Sequence, residues 1–69
     1  MMENAFGVQL NKGERRLVEC YRSLAQTLAE NADDLAPYQH RNSLKALAAL
    51  WQVMNGLDME PGQIYHLGA

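Results

Sequence analysis

Cys20, His40 and His66 are the side chains of this sequence whose ordinary pKa values lie near or just above neutrality. They are the first candidates for acid–base, nucleophilic or metal chemistry. A reactive thiol needs a cationic, partly open setting that stabilises the thiolate. Arg16 lies one helical turn before Cys20, but no histidine is near it in sequence. Cys20 therefore reads as a small hydrophobe at the edge of a packed seam. His40, within Gln39-His40-Arg41-Asn42, would have to meet His66 and a carboxylate through folding of the C-terminus, and no spacing demands this. Both histidines read as surface residues. No catalytic, cofactor-binding or metal-ligating residue is assigned, no cofactor is expected, and the chain is not expected to be an enzyme.

A second kind of chemistry would come from the aromatic residues. Tyr21 and Trp51, joined by Tyr65 and His66, can be drawn around a small-molecule pocket. That gives the alternative reading, a small-ligand-binding protein or minor enzyme subunit. Against it, Tyr21 and Trp51 fall on the apolar seams of two helices, where packing alone accounts for them.

Charge argues against nucleic acid. Six Lys and Arg stand against eight Asp and Glu, for a net charge of −2, whereas phosphate binding rests on a basic stripe. Arg15-Arg16 with Lys12 is the nearest thing to a cluster, and Glu14 and Glu19 dilute it. The turn Asn55-Gly56-Leu57 ahead of a short helix invites comparison with a helix-turn-helix. Gly62 then stands where a packed apolar residue belongs, and Glu60 opens the would-be recognition helix. Nucleic acid is set aside as a partner.

The elements that position these residues read as all-α. Asn11 is a good N-cap and Glu14 completes a capping box, starting a helix over about 12–31. Leu17, Tyr21, Leu24 and Leu28 recur every three or four residues as its seam, with Val18, Ala25, Ala29 and Ala32 widening it on one flank. Asp33-Asp34 and Pro37 mark a break. Pro37 then suits the first turn of a second helix, about 37–55. Gly56 reads as the left-handed residue after that helix, with Leu57 as its apolar contact. A short third helix is expected over about 60–67. Before the helices, Phe6, Val8 and Leu10 alternate, which predicts an extended arm over 1–10 laid on the helices or exchanged with a second copy.

The second helix carries the most information. Leu44, Leu47, Ala48, Trp51 and Met54 form one face, expected to meet the first helix. Ala46, Leu50 and Val53 form another beside it. The apolar arc spans about 200°, roughly twice the stripe of an ordinary surface helix. In a chain of 69 residues without a disulfide partner for its one cysteine, association is the remaining means of stabilising a small core. Ala46, Ala49, Leu50 and Val53 are thus the candidate protein interface. Three covers are open: the chain's own arm and tail, a second copy, or a different protein.

The expected architecture is one domain over 1–69. It would be an antiparallel helical hairpin with an N-terminal extended arm and a short C-terminal helix, paired with a second copy into a four-helix bundle. The expected function is that of a small non-catalytic interaction protein, an accessory or regulatory subunit. A homodimer is the first partner expected and a second protein the next. No apolar run is long enough for a membrane span, the first ten residues lack the features of a signal peptide, and the lone cysteine fits a reducing compartment, read as the cytoplasm.

Overall fold

A computed structural model describes residues 2–59 of the chain. Two α-helices dominate it, α1 (Lys12–Glu30) and α2 (Pro37–Gly56), joined through a single 3-10 turn at Ala32–Asp34. The fold is all-α, and among the described residues there is no β-strand. The short helix expected at 60–67 lies outside the described residues.

Each helix begins where its sequence says it must. The Asn11 side chain accepts a hydrogen bond from the Glu14 N–H at 2.8 Å, and Glu14 Oε1 accepts from the Asn11 N–H at 2.8 Å. Two backbone donors that no helical carbonyl can reach are thereby satisfied. Pro37 opens α2, where its missing N–H costs nothing. Just before it, the Ala36 N–H donates to Gln39 Oε1 at 2.8 Å.

The end of α2 differs from the sequence expectation. Gly56 is still helical, and the left-handed residue is Asp58, at φ 58°. The Asp58 N–H donates to the Asn55 carbonyl at 3.1 Å and the Met59 N–H to the Met54 carbonyl at 3.2 Å. This is the Schellman pattern centred on Asp58. Its physical reason lies in the apolar contact that accompanies such a cap. Reversal at Gly56 would set Leu57 against Gln52, which is exposed. Reversal at Asp58 sets Met59 against Met54, both buried. The better apolar pair outweighs the strain of a left-handed aspartate, a residue type that tolerates this region better than most.

The N-terminal segment is not an extended arm. It closes on itself through the Asn4 N–H to the Val8 carbonyl (2.9 Å) and the Leu10 N–H to the Met2 carbonyl (3.0 Å), with an isolated antiparallel bridge between Glu3 and Gln9. Asn4 Oδ1 accepts from the N–H groups of both Phe6 and Val8, and Gly7 takes φ 78°, which a side chain would resist. The alternation of Phe6, Val8 and Leu10 is therefore interrupted by turn chemistry. Leu10 is buried, while Phe6 and Val8 face solvent at the tip. The turn is tied to the end of α2 by the Ala5 N–H donating to the Asp58 carbonyl at 2.9 Å.

These pieces converge on one core of Leu10, Val18, Tyr21, Ala25, Met54 and Met59. Tyr21 lies against Trp51 with ring centroids 6.3 Å apart and planes tilted by 42°, within the range of favourable aromatic pairs. The seam of α1 is rotated from the expected one. Val18, Tyr21, Ala25 and Leu28 are buried, whereas Leu17 is 40% exposed and Leu24 only half-buried. Leu10, Met54 and Met59 arrive on the Val18–Ala25 flank, and the pattern of α1 alone holds no trace of them.

Two stability measurements follow. Met54→Ala empties the centre of the core and is expected to cost about 2–5 kcal/mol in urea denaturation. Asp58→Gly relieves the left-handed strain and removes a negative charge from the negative end of α2, and is expected to raise stability by about 0.5–1 kcal/mol. A destabilised Asp58→Gly variant would show that the carboxylate has a role of its own.

Candidate functional site

α2 contains no Asp or Glu, and its apolar residues run well around its circumference. The structure covers this arc along its middle. Met54 is fully buried, and Leu47, Leu50, Trp51, Val53 and Leu57 are half-buried against the core. At about 100° per residue, Leu47, Leu50 and Met54 mark the covered sector, with Trp51 and Val53 on opposite flanks. The face expected to meet α1 is therefore only partly covered: Leu44, at 46% exposure, and Ala48 lie outside it.

The candidate interface residues lie together on the other flank. Ala46 and Ala49 are exposed, and Leu50 and Val53 are half-buried with one side against the core. Only a part of Leu50 and Val53 is thus left for a partner. The flank still presents small residues beside larger apolar ones, so a second helix can approach closely.

A depression lies on the first flank, where the sequence offered a pocket around Tyr21 and Trp51 as its alternative reading. Tyr21, Leu44, Leu47, Ala48 and Trp51 line a shallow hollow of about 240 Å³ that opens to solvent. Of the residues drawn around the alternative small-ligand pocket, Tyr21 and Trp51 are brought together here, and Tyr65 and His66 lie outside the described residues. The hollow is smaller than the roughly 300–1,000 Å³ of sites that enclose small molecules. Its walls are apolar apart from the Tyr21 hydroxyl and the Trp51 indole N–H. Leu44 and Ala48, which the sequence placed on the face meeting α1, are exposed and line the hollow instead.

The titratable residues are dispersed. Cys20 is exposed on α1, His40 is half-buried in the first turn of α2, and among the described residues no three of His, Cys, Asp and Glu converge. No helix among them is long and apolar enough to cross a membrane. Comparison with protein-family models, with curated proteins and with solved structures finds no match.

The two kinds of position should separate in denaturation experiments. Leu44→Ala, at an exposed rim, is expected to change stability by less than about 1 kcal/mol. Leu47→Ala, half-buried against the core, is expected to cost about 1–3 kcal/mol, part of the full burial penalty. Equal costs at the two sites would mean that Leu44 is covered in solution.

Proposed function

We propose that this chain is a small non-catalytic helical interaction protein, an accessory or regulatory subunit acting through an apolar face of α2. Its first partner is a second copy of itself: two antiparallel helical hairpins pair through Ala46, Ala49, Leu50 and Val53 into a four-helix bundle. With a single cysteine, such a protein suits the reducing cytoplasm.

The observation that carries this reading is an α2 whose apolar arc outruns its cover. Exposed Ala46 and Ala49 adjoin half-buried Leu50 and Val53, a contiguous surface of the kind that marks an interface. Burying a Leu or Val fully is worth about 1.5–3 kcal/mol. Completing a burial that is half done in two copies is a sizeable gain beside the 5–15 kcal/mol stability of a typical domain. The open form of the Tyr21–Trp51 hollow also favours contact with a macromolecule over enclosure of a small ligand.

Sedimentation equilibrium over a wide concentration range is expected to report a mass above that of one chain. Leu50→Lys and Val53→Lys are expected to return the protein to monomer while its helical circular dichroism persists. A monomer at every concentration would overturn the homodimer, and unfolding of both lysine variants would assign Leu50 and Val53 to the monomer's own core.

A further inference from the structure

The hollow on the opposite flank of α2 has a chemistry distinct from that of the proposed self-association surface. Its apolar floor of Leu44, Leu47, Ala48, Tyr21 and Trp51 is open to solvent. Arg41 lies one helical turn before Leu44, and Lys45 one turn before Ala48, so both stand as neighbours of its α2 wall. Both are exposed, and neither is paired with a carboxylate among the described residues. Across all of α2 these two are the only residues of fixed charge. A chain of net charge −2 thus places two exposed cations one helical turn from this apolar hollow.

We propose that this hollow seats an apolar side chain from an acidic amphipathic helix of another protein, with carboxylates beside that anchor meeting Arg41 and Lys45. Charge complementarity selects this occupant over a second copy. Two α2 helices placed face to face here would bring four cations together with no carboxylate of either helix to offset them, whereas an acidic helix supplies the opposite charge. Apolar anchoring gives affinity, and the two cations give selection and faster encounter. The proposal rests on the reading of the chain as an interaction protein, but it uses a different flank of α2 from self-association.

Trp51 is the only tryptophan in the chain and lines the hollow, so its emission reports occupancy directly. The probes are a tryptophan-free amphipathic peptide with Leu along one face flanked by Glu, and its counterpart with Lys in place of Glu. The Glu peptide is expected to shift Trp51 emission saturably to shorter wavelength and to bind at least about tenfold more tightly than the Lys peptide. Raising NaCl from about 50 to about 500 mM should weaken it several-fold. Arg41→Glu combined with Lys45→Glu should reverse the preference, with Arg41→Gln and Lys45→Gln abolishing it if the reversal perturbs folding. Equal binding of the two peptides, or binding of neither, overturns the proposal. If neither binds while sedimentation still shows self-association, the interaction reading stands without the acidic partner. If neither binds and the chain is monomeric, both fall.

Discussion

The contact between Met54 and Met59 sets the rest of the structure. It fixes where α2 stops, because a left-handed residue at Asp58 is what brings the two thioether side chains together. It also fixes the orientation of α1, because Val18, Tyr21 and Ala25 pack onto that pair rather than along the Leu17–Leu24 line. Finally it places the Asp58 carbonyl where the N-terminal turn can dock. The helix terminus, the packing of α1 and the N-terminal turn thus share the same few residues.

That packing has a consequence for the surface. With α1 seated over Leu47, Leu50 and Met54, α2 is left with two partly open flanks of different character. The Ala46–Val53 side is small and apolar, suited to close helix packing. The Leu44–Ala48 side is hollow, with Arg41 and Lys45 one helical turn away. An amphipathic helix with a single narrow stripe would have hidden its apolar residues on one partner and left nothing over. The breadth of the arc in α2 is what makes a chain of this size a candidate for more than one contact.

Local chemistry was legible from the sequence and convergence was not. Asn11 with Glu14 announced the start of α1, and Pro37 that of α2, because both signals act within a few residues. The all-α class followed from the periodicity of the two helices. The exact seam of α1 and the position of the helix-ending residue depend on Leu10, Met54 and Met59 meeting from three separate segments, which no single pattern encodes. Glycine is the usual left-handed residue and so pointed to a cap at Gly56, yet the Met54–Met59 pair made by a cap two residues further on decided the matter. The turn at 2–10 was hidden by its alternating hydrophobes, although Asn4 and Gly7 were the residues to read. The candidate interface was legible as a broad arc, while its division into two flanks needed the orientation of α1.

The link between Ala5 and Asp58 joins residues separated by most of the described chain, beside the packing of α1 on α2 and of Leu10 on Met54 and Met59. Forming it early would mean closing a long loop for one hydrogen bond and a modest apolar gain, so the two helices must find each other first. Residues 2–10 are expected to open locally ahead of the helices, since Leu10 is their one buried side chain. Leu10 belongs to the same core as Met54 and Met59, so its release would open one side of that core. The interior amides of α1 and α2 would stay protected through such an opening, because each is held by its own helical hydrogen bond.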